Sequence, residues 1–291
     1  MRFILTTALG MLLFAASPLP AGDLYTGGRL FDNWYAEIDA DFVPDNPDTP
    51  ELDGRGGPNG NGTLNDANGQ AIPNTGHSYR LKNLLGWDLR GNAGIYGADY
   101  QAKAFILANG PLNDGSGRAD WVLRLARGGQ GVPAYQDVLS FAQIGSIIDF
   151  MFAVRNGTLP HPDTLWQLST QSPKGFVMNT GGDAERGRRF YAAQCAYCHG
   201  DDATAILFDD GTQSLGQHSR YYGYAIAMKA LSGDPGSDMG PQLPAWLSPT
   251  EQSQLLLDLV AALCDRERFG VGAATEPDVP DGDPRCGAYL R

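Results

Sequence analysis

The feature that most constrains this chain is Cys195-Ala196-Tyr197-Cys198-His199, a C-x-x-C-H run. Two thiols three positions apart share one helical turn, spaced to add to the two vinyl groups of a single porphyrin. The imidazole that follows falls under the iron as its proximal ligand. The run therefore reads as attachment of one covalent haem c through Cys195 and Cys198, with His199 as an axial ligand. The preceding residues agree. Asp183 to Tyr191 should open a helix with acidic residues in its first turn, and Gly187, Phe190 and Tyr191 fall at i, i+3 and i+4 on one face. A zinc site would want further Cys or His at ligand spacing, and only Cys264 and Cys286 remain, remote and unpaired with any His. A thioredoxin-like redox pair would want a βαβ context, which the sequence lacks.

Compartment follows from the first residues. Met1-Arg2, an apolar run from Phe3 to Ala16 and Ser17-Pro18-Leu19-Pro20-Ala21 have the three regions of a secretory signal, with cleavage expected after Ala21. The run is short for a membrane span, and an uncleaved anchor is the alternative. Export to the periplasm agrees with haem attachment outside the cytoplasm. The net charge is −12, from 33 acidic and 21 basic residues, which argues against nucleic acid and anionic membrane surfaces as partners. Such a protein can instead be steered to a basic patch on a redox partner.

The 291 residues divide into two halves of similar plan. In the first, Leu30, Phe31 and Trp34 make a short apolar helical face. Residues 44–76, dominated by Pro, Asn, Asp and Gly, read as a long surface loop. Within it, Asp66-Ala67-Asn68-Gly69 lacks the alternating acidic pattern and closing Glu of a calcium loop. Ser140 and Gln143 form a capping box for a helix reaching about Val154, with Ile144, Ile147, Ile148, Met151 and Phe152 inward and Asn156-Gly157 as its stop. Residues 161–182, rich in Pro and Gly, read as a linker. In the second half Ser248-Pro249-Thr250-Glu251 is again a capping box, and its helix runs to about Cys264 with Leu255, Leu256, Leu259, Val260 and Leu263 inward.

A sixth ligand is expected opposite His199. Met239 lies 40 positions beyond it, in the Gly/Pro loop Ser232-Gly233-Asp234-Pro235-Gly236-Ser237-Asp238-Met239-Gly240-Pro241, which can bend over a porphyrin and present a thioether. Met228, within a helical stretch, and His218 are the rivals; a thioether gives the higher potential, and the plainer readings are core packing for Met228 and a solvated loop position for His218. Cys264 and Cys286, in an exported chain, are expected to pair and close a loop of about 22 residues.

Two stretches resemble a family of two-domain periplasmic cytochromes c. That family's second domain carries Asn-Gly-x-Pro-Gly-x-x-Met-Pro, over which Ser232 to Met239 lies, with Ser232 for Asn and Gly240 before Pro241. Its first domain carries an aromatic-Arg-Cys-Lys-Asn/Glu-Cys-His-Gly-Trp-Asp stretch. Tyr79 to Asp88 is similar, with Leu81, Leu84 and Leu85 in place of the two Cys and the His. No thiol or imidazole can act there, and buried leucines would take up part of a porphyrin's volume at roughly 1.5–3 kcal/mol each. The resemblance implies an all-α chain of two tandem cytochrome c-like domains with long Gly/Pro/Asn-rich loops: signal 1–21, a haemless domain 22–160, a linker 161–182 and a monohaem domain with C-terminal extension 183–291. It implies Tyr224 at a haem edge; Lys229 near a propionate and Trp246 against the porphyrin are further expected contacts. A His/Met haem has no open position, so the expected role is outer-sphere electron transfer rather than catalysis. The partner would be a redox protein or a complex of which the chain is a subunit, with the haemless domain as a docking surface. The alternatives are a haem enzyme acting on a small inorganic compound and a structural subunit of a respiratory or photosynthetic assembly.

Overall fold

The computed structural model describes residues 21–39, 41–46, 48–72, 78–100 and 103–291; the expected signal segment 1–21 lies outside these residues except for Ala21. In order the chain forms α1 (Ala21–Glu37), α2 (Leu81–Leu85), α3 (Ile95–Tyr100), α4 (Arg118–Arg127), α5 (Phe141–Arg155), α6 (Pro162–Leu165), β1 (Trp166–Leu168), β2 (Phe176–Met178), α7 (Ala184–Gln194), α8 (Ala196–His199), β3 (Leu207–Phe208), β4 (Gln213–Ser214), α9 (Leu215–Ser232) and α10 (Pro249–Leu263). The chain is mostly helical. The all-α expectation needs one correction, because β1–β2 and β3–β4 each form a short antiparallel pair.

Two helix pairs carry the most extensive contacts, α1 with α5 and α7 with α10. The local rules that start these helices hold. Ser140 Oγ accepts from Gln143 N–H, Ser248 Oγ from Glu251 N–H, and Asn156 and Cys264 close α5 and α10. Each pair crosses at a glycine. A Cβ on Gly27 would stand 2.0 Å from the Ser146 carbonyl oxygen of α5, and one on Gly187 would stand 1.8 Å from the Asp258 carbonyl oxygen of α10. Only a residue without a side chain lets the backbones come this close. α1 is also broken at Asn33, where the backbone is extended (φ −157°, ψ 87°) and the side-chain oxygen accepts from Ala36 N–H.

The described residues within 44–76 (44–46 and 48–72) are mostly irregular, as expected, but they are not merely a surface loop. Asp45 is buried and its Oδ1 accepts from Asp53 N–H and Gly54 N–H, while Leu64 enters the core. Asp66 Oδ1 accepts from Asn68 N–H and Gln70 N–H, so that short stretch is a side-chain-capped turn.

Residues 161–182, read as a linker, are packed structure. Leu165, Trp166, Phe176 and Met178 are buried, and Tyr224 of α9 meets Phe176 edge-on at 4.8 Å, Trp166 at 6.0 Å and Tyr96 of α3 at 6.2 Å. Apolar residues ten positions apart in a Pro/Gly-rich stretch give no periodic signal, so the hairpin is invisible to pattern reading. Through it the buried side chains of both halves join one core.

The tail is tied down. Cys264 and Cys286 are disulfide-bonded, and Tyr289 Oη donates to Asn179 O at 2.6 Å and accepts from Gly182 N–H at 2.7 Å. Gly187→Ala is expected to cost on the order of 2–4 kcal/mol in urea unfolding through overpacking of the crossing. Gly145→Ala, on α5 with open space around it, should instead stabilise by about 0.5–1 kcal/mol. Equal effects at the two positions would show that the close approach is not what matters.

Candidate haem site

The C-x-x-C-H turn is built onto the end of α7. Asp183 caps that helix, its Oδ1 accepting from Glu185 N–H and Arg186 N–H at 2.9 and 3.0 Å. Its own N–H donates to Asp258 Oδ1 at 2.7 Å, and Arg186 Nη2 donates to the same oxygen at 2.8 Å. The start of α7 is thus pinned to the middle of α10 by a buried carboxylate. At the other end Cys195 N–H donates to Tyr191 O, and Cys198 N–H and His199 N–H both donate to Cys195 O at 3.2 and 3.0 Å. Gly200, with φ +79°, ends the turn; Tyr191 Oη donates to its carbonyl at 2.6 Å and Ala205 N–H donates to His199 O. The turn is therefore held from behind by α7 and from ahead by its own exit loop.

Its donor set fits haem c. Both thiols are free, Cys195 half-buried and Cys198 exposed. Burial, with Cys198 beside it, pushes the Cys195 thiol up to about 12. His199 is half-buried, and that burial lowers its pKa against the pull of the Asp234 carboxylate, which favours the neutral ring, the form that ligates iron. Its Nδ1 is buried without a hydrogen-bond partner. Cys264 and Cys286 are bonded to each other, which removes them from any zinc ligand set.

Around this turn the expected residues separate. Phe208 of β3 stacks on His199 with ring centroids 6.0 Å apart, then on His218 at 5.2 Å, and His218 meets Tyr222 at 5.0 Å. His218 is not a solvated loop residue: it lies on α9, its side chain is 14% exposed, and Nδ1 is 2.8 Å from Gln213 Oε1. Burial pushes it down to about 4, with Lys229 and Lys82 adding to the effect. Met228 is fully buried in the core. Met239 is half-buried in the loop after α9; its carbonyl accepts from Asp234 N–H at 2.8 Å and its N–H donates to Ser237 Oγ. Asp234, at the start of this loop, carries the charge that opposes burial in setting the His199 pKa. Tyr224 is buried in the aromatic cluster with Phe176 and Trp166. Lys229 is held by Asp32 and Asp234, and Trp246 and Tyr197 are largely or wholly exposed.

Residues 182–251 match the family model for Cytochrome C oxidase, cbb3-type, subunit III. The match runs from the residue before the α7 cap, through the C-x-x-C-H turn and the Met239 loop, to the capping box of α10. This region is a c-type cytochrome domain. No curated protein and no solved structure matches the chain. Domains of this type serve haem-based electron transfer, and no helix among the described residues is long and apolar enough to cross a membrane.

Sequence reading missed two parts of the cytochrome domain's setting. Ser214 and Gln217 form a third capping box, which starts α9 and was legible as S-x-x-Q. The ion pairs joining Asp32 to Lys82 and Lys229 connect residues 50 and 197 positions apart and leave no local signal. In the protein before haem attachment, Cys198 is expected to alkylate at least about 10-fold faster than Cys195 at pH 8, because the thiolate is the nucleophile and Cys195 is both buried and raised. Mass spectrometry of singly labelled peptides reads the order directly; preferential labelling of Cys195 would contradict the geometry.

Proposed function

We propose that the chain is a periplasmic monohaem c-type cytochrome that carries electrons by outer-sphere transfer, as a carrier or as the electron-transfer subunit of a redox complex. The observation that carries this reading is the C-x-x-C-H turn with two free thiols and a half-buried imidazole, fixed between α7 and its exit loop. Cys195 and Cys198 would hold the haem covalently, and His199 and Met239 would take the two axial positions. When bound, the haem supplies a one-electron couple.

The protein's own groups do the rest. The α7–α10 crossing orients His199 through Tyr191 and Gly200. Met239, half-buried in the loop after α9, would supply the second axial ligand, which would leave no coordination position for substrate and would restrict the site to electron exchange. Exposed Tyr197 and Cys198 put the attachment turn at the surface, where a partner can approach. The likeness of residues 182–251 to an oxidase subunit III favours a respiratory assembly as that partner.

The first half reads as a cytochrome-like domain without haem. The support is the parallel between Gly27 against α5 and Gly187 against α10, together with the burial of Leu81, Leu84 and Leu85 where the attachment residues would stand. Beside Leu84 a cavity of about 400 Å³ is lined by Leu64, Ile72, Phe105 and Leu107.

Two experiments test the reading. A Cys195→Ser, Cys198→Ser double variant should carry no covalent haem, against one per chain in the unmodified protein, by alkaline pyridine spectroscopy; retained haem would reveal a second attachment site. The reduced protein should show a low-spin spectrum and no CO binding at neutral pH, and Met239→Ala should bind CO. Rapid CO binding by the unmodified protein would mean an open sixth position and would bring enzymatic turnover of a small inorganic compound to the front.

A further inference from the structure

The loop that carries Met239 does not rest on its own half of the molecule alone. Asp32, on α1 of the first half, is buried with 2% of its side chain exposed, and its two oxygens meet two ammoniums. Oδ1 pairs with Lys82 of α2, the lysine inside the leucine-substituted stretch, and Oδ2 accepts from Lys229 of α9 at 2.7 Å. Lys229 also pairs with Asp234, whose N–H donates to the carbonyl of Met239. Burial would raise the Asp32 carboxyl, but Lys82 and Lys229 outweigh it and hold it at about 2. The carboxylate is thus charged at any ordinary pH, and it is costly to bury unless both cations stay in place.

Backbone contacts run alongside this chain of charges. A Cβ on Gly28 of α1 would stand 2.5 Å from the Ser232 Cβ at the end of α9. Arg29 Nη1 donates to Ser232 O at 3.2 Å. Gly236, with φ +71°, brings the loop against Ala36, where a Cβ would stand 2.9 Å from the carbonyl oxygen. The loop therefore meets α1 at its beginning, at its ion pair and at its turn.

We propose that the first half is a clamp, acting within the same chain, on the distal ligand loop: Asp32 holds Lys229, Lys229 holds Asp234, and Asp234 sets the position of Met239. Asp32, Lys82 and Lys229 are then positioning residues. This gives a haemless half something to do for the haem beside it, separate from the docking of partners. The proposal rests on Met239 being the axial ligand.

The test uses the full-length ferric holoprotein titrated with imidazole, followed through the near-infrared band that reports a thioether bound to ferric iron. Asp32→Asn should weaken the band and tighten imidazole binding by on the order of 10-fold or more, the size of a typical coupling between linked sites. Asp32→Glu should restore both. Lys229→Gln, at a partly exposed position, should act in the same direction and covers the case in which Asp32→Asn does not fold. A band present in the unmodified protein, with imidazole affinity unchanged in the folded variants and only the thermal midpoint lowered, would reduce the network to scaffolding and overturn the proposal. A band absent from the unmodified protein, or undiminished in Met239→Ala, would overturn the ligand assignment and the proposal together.

Discussion

The attachment turn depends on the contact between α7 and α10. Gly187 lets the α7 backbone press against the Asp258 carbonyl, and the Asp258 side chain, fully buried, accepts from Asp183 N–H and from Arg186 in the first turn of α7. One carboxylate therefore holds the start of the helix whose end presents Cys195, Cys198 and His199. A buried carboxylate is worth having only when its partners are fixed, because any partner lost leaves a charge in low dielectric. The contact is therefore costly to break, since opening it would strip the buried Asp258 of its partners.

The same logic recurs between the halves. Asp32 is a second buried carboxylate, this one shared by elements far apart in the chain, and it ties α1 and α2 to α9. The apolar counterpart is the ring cluster of Tyr96, Trp166, Phe176 and Tyr224, which bridges α3, the hairpin and α9. With both in place the two halves share one core. A pair of independent domains on a flexible linker would leave these groups to water, and Trp166 and Phe176 alone would then expose apolar surface worth several kcal/mol, at about 1.5–3 kcal/mol per large side chain.

How much was legible depends on the range of the physics. Rules that act within a turn or two came through: the C-x-x-C-H turn, the Ser140 and Ser248 capping boxes, the inward faces of α5 and α10, and the start of α7 at Asp183. Pairing of Cys264 with Cys286 was also within reach, because few cysteines leave few choices. The burial within residues 161–182 and around His218 is invisible in the sequence for one reason. Pro and Gly report local backbone freedom, and His218 offers no local sign of its neighbours, so burial by distant chain was hidden in both cases.

The sequence by itself determined the chemistry: two thiols and an imidazole on one turn, and a capped helix to carry them. Those are properties of residue type and short spacing, and no fold is needed to read them. Only the tertiary structure decided what surrounds that chemistry. It put Lys229 between Asp32 and Asp234, stacked Phe208 against His199 and His218, and left Trp246 in solvent. Charges 197 positions apart meet only because two halves fold onto each other, and nothing in either local stretch encodes that distance.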